Sequence, residues 1–295
     1  MCFDEDAIPP VPQVPDAAVE SRYLELTAAD GNTFAAFTAA PAGGTRTAIV
    51  ILPDVRGLYG FYTELAKRFA ENGVRALVID YYGRTAGAAR RESDFPYTEH
   101  MAGLTPRQLY ADLSAGIAHL RSEEGGAASA VLTVGFCIGG RLAVMAAAGR
   151  SDLAGVIGFY CWPADGPDGS PGPTSRAADL KAPVLALMAG EDPGIPPAHV
   201  KAFDEALAEA GVDHEVVTYP GTPHSFFDAK RDAYADASAD AWDRVLRFVD
   251  RVGAGWAPVR AQDAGRKGTG THTYGRNETA CSLEGQLNAV RPREV

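Results

Sequence analysis

The run Val131-Leu-Thr-Val-Gly135-Phe136-Cys137-Ile138-Gly139-Gly140-Arg141 joins a β-like apolar segment to a helical one with almost nothing between them. A strand can enter a helix so abruptly only through a very tight turn, and that turn lifts one side chain above the end of the strand. Gly135 and Gly139 supply the room, and the raised side chain is Cys137. This is the pattern of a nucleophile elbow with cysteine in place of serine. A lone cysteine is more often a small buried hydrophobe; the glycine frame on both sides reverses that reading. The turn also sets the sulfur at the N-terminus of the following helix, where the dipole and free N–H groups favour a thiolate. The Ile138 N–H is then aimed at a developing oxyanion.

An elbow of this kind needs a parallel sheet around it, and the rest of the chain supplies the strands. Arg22 to Thr27 and Thr33 to Ala39 flank Ala-Asp-Gly-Asn and read as an antiparallel hairpin. Apolar runs at Ala48 to Leu52, Val74 to Ile79, Ala130 to Val134, Gly155 to Phe159, Val184 to Met188 and Glu215 to Tyr219 read as strands. Between them, helical periodicity appears at Tyr62 to Glu71, from Thr105 to about Ser122, near 138–149 and near 197–210, with a last amphipathic helix from Ala235 to Val252. Thr105-Pro-Arg-Gln108 has the residues of a capping box with proline at the first helical position. The alternation predicts one α/β domain over 21–252, a mostly parallel, doubly wound sheet with helices on both faces. Residues 1–20, rich in proline, read as an N-terminal arm; 253–295, polar and aperiodic, read as a flexible C-terminal tail.

Composition narrows the function. A formal net charge of -11 argues against a nucleic-acid binder or a surface that docks on anionic lipid. No stretch approaches the roughly 20 apolar residues of a membrane helix, and the acidic, Pro-rich opening is unlike a signal peptide, which predicts a cytosolic protein. Cys2, Cys137, Cys161 and Cys281 lie far apart with no metal-ligand spacing, so neither a disulfide framework nor a zinc site is expected.

A thiol nucleophile needs a base. Gly221-Thr-Pro-His224-Ser-Phe226 follows the strand ending at Tyr219, which places His224 at the same sheet edge as Cys137. An orienting acid belongs between them in the chain, and Gly190-Glu191-Asp192-Pro-Gly-Ile-Pro196 offers one. Asp192 and its competitor Glu191 both stand there. His100, His119, His199, His214 and His272 lie in less suitable places.

Gly-Phe-Cys-Ile-Gly-Gly, Gly-Glu-Asp-Pro-Gly-Ile-Pro, Pro-His-Ser-Phe and Ile79-Asp-Tyr-Tyr82-Gly-Arg84 together resemble the dienelactone hydrolase (carboxymethylenebutenolidase) family over about residues 20–250. The resemblance implies an α/β-hydrolase fold, a Cys137-His224-Asp192 triad and cleavage of a small-molecule ester or lactone without a cofactor. It implies further that an acid after the third strand helps generate the thiolate when substrate binds; Asp54 stands there, where founding members have glutamate. By the same analogy the Val55 N–H is the second oxyanion donor. Arg84 falls on the first of two arginines that hold a substrate carboxylate, beside Tyr82, whereas the second is replaced by Asp228. Arg56 and Arg231 read as ordinary solvated charges. Tyr160 and Trp162, at a strand end, are expected to line the substrate pocket, and the segment 85–104, with Phe95, Tyr97, His100 and Met101, to lie over it. The protein is expected to be a monomer or homodimer. Two other readings compete: a glutaminase-like enzyme on a flavodoxin-type fold, and a redox-sensitive thiol protein.

Overall fold

A computed structural model of the protein describes residues 7–92, 95–227 and 233–253. The predicted tail beyond Gly253, together with Asp228 and Arg231, lies outside the described residues.

These residues form an eight-stranded sheet. It comprises β1 (Val19–Thr27), β2 (Thr33–Pro41), β3 (Thr47–Leu52), β4 (Arg75–Ile79), β5 (Ala130–Phe136), β6 (Gly155–Phe159), β7 (Val184–Ala189) and β8 (His214–Tyr219). The spatial order is β1-β2-β4-β3-β5-β6-β7-β8. β1 and β2 form the antiparallel hairpin expected, turning at Gly31, whose φ of 86° suits a residue without Cβ. β2 pairs antiparallel with β4, and from β4 to β8 every pairing is parallel. The strands β3, β5, β6 and β8 therefore end at one edge, and their following loops converge there.

Seven α-helices connect or cover these strands among the described residues: α1 (Gly60–Glu71), α2 (Gly83–Ala86), α3 (Tyr97–Met101), α4 (Pro106–Arg121), α5 (Ile138–Met145), α6 (Pro197–Glu209) and α7 (Ala235–Gly253). The register shows how they share the two faces. Leu77, Val50 and Thr133 stand in one row across β4, β3 and β5. On that face Gly116 of α4 approaches Leu77, and the Thr133 hydroxyl donates to Ala143 O of α5 at 3.0 Å. Gly155 pairs with Leu132, one residue out of that row, and so faces Phe248 of α7 on the opposite side. Phe69 of α1 meets Trp242 of α7 there, ring centres 4.8 Å apart.

Both faces being covered, β5, β6 and β7 are buried along their whole length. That explains why they read as unbroken apolar runs. Each large side chain so buried contributes about 1.5–3 kcal/mol. The predicted capping box at Thr105 is present, its side chain and that of Gln108 each bonding the other's backbone N–H. α5 is shorter than the sequence predicts. It ends at Met145 because the chain turns there toward Leu180, with Lys181 N donating to Ala147 O and Gly149 at φ 73°.

Candidate active site

The elbow is built by close backbone approach. Cys137 sits between β5 and α5 with φ 56° and ψ -117°, a conformation an L-residue adopts only under strain of about 1–3 kcal/mol. A Cβ on Gly135 would lie 1.9 Å from Gly139 O, and one on Gly139 would lie 2.1 Å from Leu52 O. Neither position accepts a side chain. The Cys137 N–H donates to Phe159 O at 3.1 Å, which ties the turn to β6. Cys137 itself is half-buried and carries a free thiol.

His224 and Asp192 meet at the same edge. His224 Nδ1 lies 2.6 Å from Asp192 Oδ2, and the Asp192 side chain is only 1% exposed. The other carboxylate oxygen accepts the Gly194 and Ile195 N–H groups at 2.9 and 3.2 Å, so the acid is held from both sides. Glu191 is exposed, and its backbone N–H donates to Thr222 O at 2.8 Å, joining the acid loop to the histidine loop. His224 Nε2 is shielded from solvent. Desolvation pulls the imidazole pKa down, but the charge of the neighbouring Cys137 and the hydrogen bond to Asp192 outweigh it and hold the pKa well above 6.5. The histidine is thereby disposed to carry a proton.

The other predicted site residues fall into two groups. Tyr160, buried with φ 35°, sets its ring 4.9 Å from that of His224. Trp162 is half-buried against His199, 5.4 Å between ring centres, and its carbonyl accepts from Arg141. Ile138 opens α5, and Val55 lies in the loop after β3. Neither amide has a hydrogen-bond partner among the described residues.

Tyr82, Arg84 and Arg56 have different employment from that expected, and Asp54 is held by Arg56. Asp54 accepts from Arg56 Nε at 3.0 Å and from Nη2 at 2.6 Å, a buried pair, and no hydrogen bond joins it to Cys137 among the described residues. Arg56 is therefore not a solvated charge: it is 5% exposed and lies over the Tyr59 ring at 5.1 Å. Arg84 is held by Asp30 at 2.8 Å, by Asp112 at 2.8 Å and by Gln108 O, so its guanidinium is spent on the hairpin turn and α4. Tyr82 is fully buried, and its hydroxyl donates to Val55 O. Phe95 packs 4.9 Å from the Tyr82 ring and stacks on His100.

Sequence reasoning missed the buried pair Asp80–Arg91. Asp80 also accepts the Leu58 N–H at 3.0 Å and the Tyr82 N–H at 2.8 Å. Asp80 lies in a segment that carried the resemblance; Arg91 has no local signal. Among the described residues no group of three or more His, Cys, Asp or Glu is placed to hold a metal, and no helix is long and apolar enough to cross a membrane.

The sheet order and the strained turn at its centre define an α/β-hydrolase, and solved structures of that class bear this out. The crystal structure of a provisionally named dienelactone hydrolase from Klebsiella pneumoniae matches with a TM-score of 0.68 at 26% identity, covering 79% of this chain and 99% of that one. Acylaminoacyl peptidase from Pyrococcus horikoshii shares the fold, with a TM-score of 0.67 at 16% identity over 82% of this chain and 43% of its own. In sequence, a Salmonella typhi protein that bears the provisional name carboxymethylenebutenolidase is 30% identical over 254 residues, 83% of this chain and 92% of its own. The dienelactone hydrolase family profile matches residues 34–253. The chain belongs to the dienelactone hydrolase family and is a hydrolase.

Proposed function

We propose that this hydrolase cleaves a carboxylic ester or lactone through a thioester on Cys137. The observation that carries the reading is the His224–Asp192 bond at the sheet edge that also bears the strained Cys137 turn. The Cys137 thiolate attacks the carbonyl carbon, and the oxyanion accepts from the Ile138 and Val55 N–H groups. As the tetrahedral adduct collapses, the C–O bond breaks and the leaving oxygen takes the proton from His224. Neutral His224 then removes a proton from water, whose oxygen attacks the thioester. The second tetrahedral adduct collapses with cleavage of its C–S bond, so the acid leaves and the thiolate is regenerated beside the imidazolium that keeps the proton taken from water. Asp192 fixes the imidazole by its Nδ1 throughout.

The pairing of Asp54 with Arg56 supports thiolate formation by His224 rather than by Asp54. The geometry also favours substrates without a carboxylate. Arg84 is committed to Asp30 and Asp112, and Arg56 to Asp54, so neither guanidinium is offered to an anionic group. The Tyr160 ring, 4.9 Å from that of His224, would suit an apolar acyl or alkoxy group beside the histidine. The free thiols Cys137 and Cys161 accord with a cytosolic setting.

Steady-state hydrolysis of p-nitrophenyl acetate by wild type and Cys137→Ala tests this. Turnover in wild type that falls at least about 10³-fold in the variant is expected; equal turnover in the two would refute the nucleophile.

A further inference from the structure

The loop after β3 carries one of the two proposed oxyanion donors, and its three successive peptide groups are pinned almost completely. In the first, Pro53 O accepts the Tyr81 hydroxyl at 2.7 Å, and the Asp54 N–H donates to the Tyr62 hydroxyl at 3.0 Å. In the third, Val55 O accepts the Tyr82 hydroxyl, and the Arg56 N–H donates to Asp54 Oδ1 at 2.9 Å. In the middle peptide Asp54 O accepts the Gly57 N–H at 3.2 Å. Five of the six polar groups are bound, and the sixth, the Val55 N–H, has no partner among the described residues.

Tyr62 comes from α1, and Tyr81 and Tyr82 follow β4. All three are at most 1% exposed. A buried tyrosine keeps its hydroxyl bonded because desolvating an unpaired one is costly. Here the bonds go to the loop's own backbone. The loop also rests on the elbow: Leu52 O and Pro53 O are the atoms a Cβ on Gly139 would strike, at 2.1 and 2.2 Å. The Val55 peptide and the start of α5 are thus fixed against each other.

We propose that Tyr62, Tyr81 and Tyr82 are positioning residues for the oxyanion hole. Their hydroxyls lock the peptides on either side of Val55 so that its N–H faces the charge that develops on the substrate oxygen. Tyr82 acts on this loop and does not contact substrate. The inference rests on the proposed hydrolytic reading. It follows from the general requirement that such donors be fixed before charge appears, since a donor that must reorient during reaction loses much of its effect.

Tyr81→Phe and Tyr82→Phe keep the rings and remove only the hydroxyls, and two reactions at the same sulfur separate the possibilities. Acylation by p-nitrophenyl acetate builds an oxyanion; alkylation by iodoacetamide builds none. The expected result is a fall in kcat of roughly ten- to a hundred-fold, with KM and the iodoacetamide rate both within about twofold of wild type. Thermal denaturation of the same variants reports whether they remain folded. Equal losses in acylation and alkylation would mean that the site has collapsed and would overturn the proposal. So would an unchanged kcat, or an effect confined to KM, which would make Tyr82 a substrate contact. A wild type that is alkylated but never acylated would instead reject the hydrolytic reading itself.

Discussion

The two loops that converge on the proposed reaction centre are built in opposite ways. The Cys137 turn is a local construction: glycines at 135, 139 and 140 sit within five residues of the sulfur, and the geometry follows from their missing Cβ atoms. The 53–58 loop is assembled from a distance. Its backbone is bonded to tyrosines at 62, 81 and 82, and Leu58 N is bonded to Asp80, which is itself paired with Arg91. A turn made by sterics tolerates no added atom. A loop made by hydrogen bonds loses one constraint at a time, and its precision depends on residues that never touch substrate.

That contrast can be broken first at the elbow. Gly139→Ala places a methyl group on the carbonyls of Leu52 and Pro53, and a loss of about 4 kcal/mol or more in urea unfolding is expected. Stability within 1 kcal/mol of wild type would mean that the backbone yields there.

Asp192→Asn should lower kcat/KM on the order of 10³-fold by removing the group that orients His224. It also has a pH signature. The histidine pKa is raised in the folded protein, so the stability it contributes is complete below about pH 6.5 and is lost as pH rises through the raised value. Because the Asp192 hydrogen bond is one of the causes, the variant's alkaline limb should move to lower pH. An unmoved limb in the pH–rate profile would detach Asp192 from the base.

On the other loop, Arg91→Met leaves Asp80 buried without its cation, and a cost of about 3 kcal/mol is expected in thermal or urea unfolding. If the variant loses stability but no activity, the pair supports the cover segment and not the Val55 peptide.

The smallest effect is expected at Arg84. Arg84→Met should lower the melting temperature, because it leaves Asp112 buried without its cation and with only the Asn32 amide as a partner among the described residues. The ratio of kcat/KM for a carboxylated ester to that for its neutral analogue should stay within about twofold. A selective tenfold loss for the anionic ester would restore the carboxylate clamp.

The same difference governs what was legible in the sequence. The strands β3, β5, β6 and β7 were readable because burial on both faces leaves continuous apolar runs, and the capping box at Thr105 because its four residues are adjacent. The placement of Cys137, His224 and Asp192 at one edge followed from chain order and strand ends. The end of α5 was not readable, since it is set by contact with residues near 180. Nor were the partners of Arg56 and Arg84: an arginine's sequence neighbours do not say whether it is solvated or buried against a carboxylate. Tyr82 was visible as a residue near the site, but its target, a backbone carbonyl 27 positions away, was not.

The central claim is that a covalent thioester forms on Cys137. Intact-protein mass spectrometry during turnover of p-nitrophenyl acetate, quenched in acid and followed by peptide mapping, tests it most directly. The account predicts an acetyl adduct on the peptide containing Cys137 that accumulates, decays with product release, and is absent in Cys137→Ala. Product formation with no adduct on Cys137, or an adduct on another residue that survives in Cys137→Ala, would contradict it.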